Sequence, residues 1–345
     1  LSSNPFQDWH GFQQQVEQYQ SQMSEPLRDW QTLLHAPPSH HGPTARTHVL
    51  RWGSSPSKPL LICAGGIVNQ AYRFTRLAEC LQDEFEVLAF DWYGRGHSDW
   101  LADPSGYQFT HNIQQLLGVL DAHAHRAIHV LGSSLGGLCA IAAQAQRPGL
   151  IQSMVLNDVG PHMASSRRAR RAAALLKPRL FTNPSQLQSK VGVSEKNSGP
   201  IPADLNDWLA YKATRWSACQ NGRVYRYDPT SMEVYFQESA SDILLWNEWA
   251  QRTCPVLLIH GLQSDALDMA QIQHMQKSST SQFDLFCIPD AGHTPSLCVP
   301  GHIEPLRAWL TKMAVQSGFS PEESRHAADD RQLRQFHLQS GPVLR

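Results

Sequence analysis

The chain has 345 residues, 41% of them hydrophobic, and a formal net charge of -1, which suits one large α/β domain with an insertion, or two domains. Nothing in that balance suggests a nucleic-acid binder or a surface held to anionic lipid. Seven scattered cysteines, Cys63, Cys80, Cys139, Cys219, Cys254, Cys287 and Cys298, lack C-x-x-C spacing, and their odd number speaks against a complete disulfide framework and for a reducing, cytoplasmic setting.

From Asn4 to Pro38, Trp9, Phe12, Val16, Tyr19, Met23, Leu27, Trp30 and Leu34 recur at spacings of mostly three and four, an amphipathic helical pattern broken near Pro26. Pro37, Pro38, Gly42 and Pro43 mark a linker. Thr47 to Trp52 reads as an outer strand. Leu60 to Cys63 is a continuous apolar run, as expected of a strand buried on both faces. It ends at Ala64-Gly65-Gly66-Ile67, where glycines allow backbone amides to approach a ligand.

Ala71 to Leu81 reads as helix and Val87 to Phe90 as the next buried strand, leading into Asp91-Trp92-Tyr93-Gly94-Arg95-Gly96-His97-Ser98. Asp91 and Ser98 are expected to bond loop amides there. Phe109 to His123 is a second helix. His123, His125 and His129 straddle a helix end and a strand start without a companion acid or cysteine, a poor metal set.

Ile128 to Leu131 is a strand that runs into Gly132-Ser133-Ser134-Leu135-Gly136, with an alanine-rich helix after it. A serine on a sharp strand-to-helix turn projects its hydroxyl from the sheet edge, and bulky side chains two before and two after would collide. Only Ser134 fits that frame, since Ser133 is flanked at those positions by Leu131 and Leu135. After the strand Ser153 to Leu156 comes Asn157-Asp158-Val159-Gly160-Pro161. From Pro161 to Arg252 the alternation of buried strands and helices ceases. Helical patterns (Arg167 to Leu176, Leu205 to Trp216, Ile243 to Trp249) and many aromatics suggest an insertion over the C-terminal edge of the sheet. Its run Arg167-Arg168-Ala169-Arg170-Arg171 reads as a solvated face rather than an anion site.

The core resumes with the strand Pro255 to Gly261, then Leu262-Gln263-Ser264-Asp265. A last strand, Phe283 to Ile288, precedes Asp290-Ala291-Gly292-His293, and a helix from Ile303 to Met313 closes the fold. A serine hydroxyl needs a base, and the base an acid to fix its tautomer. Among 17 histidines, His293 is favoured by its place after the last strand. Asp265 and Asp158 each follow a strand. Asp265 is the preferred acid, Asp158 the alternative and reads better as a brace, and Asp268 is a weaker third.

These pieces together, Gly132-x-Ser134-x-Gly136, Asp91-x-x-Gly94-x-Gly96-x-Ser98, Asn157-Asp158-Val159-Gly160-Pro161, Ser264-Asp265 and Gly292-His293, resemble the α/β-hydrolase superfamily over about residues 46 to 315. The resemblance implies a mostly parallel central sheet flanked by helices, with a helical lid after the sixth core strand. The corresponding division is a helical extension and linker (1–45), a first core part (46–160), the lid (161–252), a second core part (253–315) and a mobile polar tail (316–345). It also implies a serine hydrolase cleaving esters, lactones or thioesters. Its triad would be Ser134, Asp265 and His293, with the Leu135 and Gly66 amides, or Ile67 in place of Gly66, holding the oxyanion. Where many relatives have His-Gly, this chain has Ala64-Gly65. The expected partner is a small-molecule ester, without metal, nucleotide, flavin, nucleic acid or membrane span. An acyltransferase with the same triad and a non-catalytic ligand receptor are the alternatives, and the oligomeric state is not legible.

Overall fold

The computed structural model describes residues 8–33, 45–177, 179–190 and 198–319. The strands are β1 (Leu27–Thr32), β2 (Arg46–Trp52), β3 (Leu60–Ala64), β4 (Glu86–Phe90), β5 (Ile128–Ser133), β6 (Ile151–Asn157), β7 (His162–Met163), β8 (Leu180–Phe181), β9 (Thr214–Ser217), β10 (Gly222–Tyr225), β11 (Ile243–Leu244), β12 (Val256–Gly261) and β13 (Phe283–Ile288). The helices are α1 (Trp9–Gln20), α2 (Thr75–Leu81), α3 (Phe109–Asp121), α4 (Leu135–Gln146), α5 (Ser165–Leu175), α6 (Pro184–Lys190), α7 (Ala203–Lys212), α8 (Pro229–Glu238), α9 (Trp246–Ala250), α10 (Met269–Lys277) and α11 (Pro300–Gln316).

Eight strands form one sheet in the order β1-β2-β4-β3-β5-β6-β12-β13. β2 runs antiparallel to both β1 and β4, and the pairs from β4 to β13 are parallel. The central strands read as continuous apolar runs because both faces are covered. Leu61, Cys63, Val87, Ala89, Leu131 and Ile259 point into a cluster shared with α2 and α11. Leu60, Ile62, Leu88, Val130, Leu156 and Leu258 point into a second cluster with α3, α4 and α10. Successive residues thus feed opposite cores, as the strand period of two requires.

Two expectations are corrected. The N-terminal helix stops at Gln20, and Leu27–Thr32 is the edge strand, which makes β2 the second strand rather than the outer one. β1 is mostly exposed, so its sequence carries no buried-face alternation, and its register comes from pairing with β2. The 161–252 segment is not purely helical either. It holds an antiparallel sheet, β8-β10-β9, and the pair β11-β7. The stretch read as the end of a helix at Trp216 is instead a hairpin strand, because Asn221 takes the left-handed conformation (φ 49°) and turns the chain back along β9. α1 lies against this segment, with Phe12 and Val16 sharing a cluster with Trp208 and Leu209 of α7. The tail expected to be mobile lies, past residue 319, outside the described residues. No helix among the described residues is long and apolar enough to cross a membrane.

Candidate active site

β5 ends in Ser133, and the next residue carries the turn. Ser134 has φ 50° and ψ -111°, a conformation that costs a non-glycine residue on the order of 1–3 kcal/mol and persists only where the surroundings impose it. The flanking glycines explain how. A Cβ on Gly136 would lie 2.1 Å from the Ala64 carbonyl oxygen, and one on Gly132 would lie 2.5 Å from the Gly137 Cα. The start of α4 is therefore pressed directly onto β3 and β5, and the seryl hydroxyl is left at the sheet edge.

His293, five residues beyond β13, completes a line of hydrogen bonds. Its Nε2 lies 3.0 Å from Ser134 Oγ, and its Nδ1 lies 2.9 Å from Oδ2 of Asp158. Asp158 directly follows β6, the strand beside β5, and its side chain has no exposed surface. Asp158 (φ 56°) and Thr294 (φ 58°), like Ser134, have positive φ. Backbone strain is thus concentrated around this line of three side chains.

A sequence model of the α/β-hydrolase fold matches residues 58–297. The chain belongs to the α/β-hydrolase family. It is 26% identical over 262 residues to a 3-hydroxybutyrate-oligomer hydrolase of Cupriavidus necator, covering 73% of this chain and 88% of that one. It is likewise 26% identical over 251 residues to an esterase of Mycobacterium tuberculosis, covering 71% of this chain and 79% of that one. A crystal structure of an α/β hydrolase from Novosphingobium aromaticivorans superposes with a TM-score of 0.65 at 26% identity, over 82% of this chain and 97% of the other.

The acid preferred from the sequence is not the one that meets the histidine in this hydrolase. Asp265 is 69% exposed and bonds Arg167 at 3.1 Å, with Arg170 at 3.7 Å. The cause lies in the turn after β12. Ser264 N–H donates back to the Gly261 carbonyl, which sends the Ser264 hydroxyl inward onto Asp158 Oδ2 and leaves the next residue, Asp265, facing out. The tight Asn-Asp-Val-Gly-Pro turn suggests a brace at Asp158. That same tight turn rotates the carboxylate to His293. Asp268, the weaker third candidate, caps α10 by accepting from the Gln271 amide.

Asp158 has further partners that the sequence did not reveal. Its Oδ1 accepts from His260 Nδ1 at 2.9 Å and from the Gly261 amide at 3.3 Å. Burial raises its pKa, but hydrogen bonds from His260, His293 and Ser264 outweigh that and hold it down at about 2. His293 is displaced below the ordinary histidine value, first by burial and also by the charge of Arg167, with Asp158 opposing. At neutral pH the imidazole is therefore uncharged and able to accept a proton. Asn157 joins the two loops, donating to Ser133 Oγ and to the Pro295 carbonyl, both at 3.1 Å. A residue at the C-terminal end of a central strand is the signal that could have singled out His260 and Asn157.

The Gly65-Gly66 loop lies beside the serine. A Cβ on Gly66 would sit 3.6 Å from Ser134 Cβ, and the Gly66 amide donates to Asn69 Oδ1 at 3.1 Å. Leu135 is the first residue of α4, where a helix leaves its amides without carbonyl partners. Arg95 Nε donates to the Ile67 carbonyl and steadies the loop. Asp91 accepts from the amides of Ala71 and His97, as expected, whereas Ser98 Oγ donates to the Asp91 carbonyl and accepts from the His48 amide of β2 rather than from a loop amide. His123 bonds the Val119 carbonyl and His129 the Ser153 hydroxyl.

Proposed function

We propose that this hydrolase cleaves carboxylic esters through an acyl-enzyme, with Ser134 as nucleophile, His293 as general base and then acid, and Asp158 as the carboxylate that orients His293. The observation that carries the reading is the continuous line from Ser134 Oγ through both ring nitrogens of His293 to Asp158. Ser134 Oγ attacks the carbonyl carbon while His293 Nε2 takes its proton. The oxyanion is held by the Leu135 amide and by the Gly66 amide, whose bond to Asn69 it replaces. His293 then protonates the departing alkoxide. Water, giving a proton to His293, attacks the acyl-serine, and the proton returns to Ser134 as the acid leaves. Each oxyanion donor in such a site contributes a factor of about 10²–10³ in rate.

Ester chemistry is supported by the resemblance to an esterase, and the serine nucleophile is compatible with it. Residues 161–252 would act as a lid that selects the substrate, since they follow Asp158 and carry Arg167 to the neighbourhood of His293. The test is covalent labelling by a fluorophosphonate together with hydrolysis of a panel of 4-nitrophenyl esters. We expect stoichiometric labelling of Ser134, turnover of at least one ester, and loss of both in Ser134→Ala. Folded protein that neither labels nor turns over any ester refutes the proposal and favours a ligand receptor.

A further inference from the structure

The arginine-rich run of α5 is a solvated face only in part, since Arg170 and Arg171 are exposed and Arg167 and Arg168 are not. Arg168 is buried, donating to the carbonyls of Glu238 and Ser241 and lying over the Tyr235 ring. Arg167 is 16% exposed. Its Nη2 reaches Asp265; among the described residues its Nη1 has only the Met163 sulfur, at 3.8 Å, and its buried Nε has no hydrogen-bond partner. A sulfur is a weak acceptor, so the planar fork of this guanidinium is under-used.

Arg171 lies one helical turn further on, on the same face of α5, and is exposed. Its electrostatic neighbours are Arg167 and the phenols of Tyr225, Tyr227 and Tyr235. Among the described residues, Asp265 is the carboxylate that forms ion pairs within this run, with Arg167 and Arg170. That leaves an excess of positive charge.

The ends of α5 fix where that charge sits. Near its start, Arg167 is tied to Asp265 in the turn whose Ser264 bonds Asp158, and its charge is felt by His293. At its far end the Leu175 carbonyl accepts from the Tyr227 hydroxyl at 3.2 Å, Tyr227 stacks on Tyr225, and its backbone bridges Arg95. Arg95 in turn holds Ile67, in the loop beside Ser134. α5 therefore connects the histidine side of the site to the oxyanion side.

We propose that Arg167 and Arg171 form a carboxylate subsite, and that the ester this enzyme cleaves carries a free carboxylate on its acyl part. This rests on the esterase reading above. Carboxylate matches the flat, forked donor array of arginine, which takes it through two parallel hydrogen bonds. The Tyr225–Tyr227 stack, tied to the end of α5 by the Tyr227 hydroxyl, would offer aromatic surface to the carbon chain that bears the carboxylate.

The experiment compares kcat/KM for the mono-4-nitrophenyl ester of glutaric acid, for 4-nitrophenyl valerate, and for a phosphonate-terminated analogue. Each protein is assayed on the alkaline plateau of its own pH profile, so that a change in His293 titration does not enter. We expect the wild type to prefer the glutarate over the valerate by at least about tenfold, less so at high salt. Arg167→Gln and Arg171→Gln should each cut that ratio by about tenfold, and Arg171→Lys should keep part of it. Fluorophosphonate titration counts intact sites in every variant. An unchanged ratio in both glutamine variants, or a wild type indifferent to charge, overturns the subsite while leaving ester hydrolysis standing. A preference for the phosphonate over the glutarate overturns the carboxylate assignment. No ester turnover and no Ser134 labelling would instead sink the esterase reading.

Discussion

Replacing Asp158 by asparagine separates the two acids, and the hydrogen bonds around it determine what should happen. Oδ1 accepts from His260 Nδ1 and from the Gly261 amide, and Oδ2 accepts from His293 Nδ1 and the Ser264 hydroxyl. An asparagine must turn its amino group toward one of these pairs. The Gly261 N–H is fixed in the backbone and cannot become an acceptor, so the carbonyl stays on that side. The amino group then faces His293 and Ser264, both of which can reverse, the hydroxyl by rotating and the imidazole by changing tautomer. His293 is left with its proton on Nε2, pointing at Ser134 Oγ 3.0 Å away and unable to accept the seryl proton. Holding the wrong tautomer in a serine triad costs up to about 10⁴ in kcat. For Asp158→Asn we expect a fall of about 10³–10⁴, some 4–5.5 kcal/mol of barrier. Asp265→Asn, 69% exposed and bonded to arginines, should cost less than about tenfold. Initial rates on a 4-nitrophenyl ester, normalised to the wild-type thermal transition, give both numbers. Retention of a tenth of turnover in Asp158→Asn, or a thousandfold loss in Asp265→Asn, refutes the assignment.

His260 should act through Asp158 rather than on substrate. His260→Leu, which strips a donor from the carboxylate, is expected to lower kcat about 10–100-fold with KM little changed, whereas His260→Asn, which restores a donor near the Nδ1 position, should recover much of it; equal damage in both would point to packing alone. The fully buried His129 gives a stability prediction. Burial lowers its pKa from 6.5 to about 4, so it must stay neutral in the folded state. Folded protein then binds fewer protons than unfolded, and stability is lost as pH falls from 6.5 toward 4, on the order of 3 kcal/mol from this group. Urea titrations across that window should show a shallower acid slope in His129→Asn, and an unchanged slope would refute it.

The fold was legible because its parallel strands are buried on both faces and so appear as unbroken apolar runs, and because the Gly132-x-Ser134-x-Gly136 spacing answers a steric demand that nothing else in the chain meets. His293 was legible from its place after the last strand. The edge strand β1 was not, since Leu27–Thr32 buries almost no side chain and takes its shape from pairing with β2. Asp158 against Asp265 was a question of direction, not of position. Both follow a strand, and only the backbone angles decide which carboxylate turns inward. Asp158 does so at φ 56°, with the Ser264 hydroxyl and the Gly261 amide meeting it. The arginines of α5 failed for a related reason. Charge density in a sequence suggests solvent, and Arg170 and Arg171 are exposed, yet α5 is held at one end by Asp265 and at the other by Tyr227, and the Arg167 Nε is buried without an acceptor among the described residues. A group so placed costs stability unless something pairs with it. A carboxylate bound at Arg167 and Arg171 would add an acceptor to this under-used fork, so part of the energy that binds the substrate would come from pairing it.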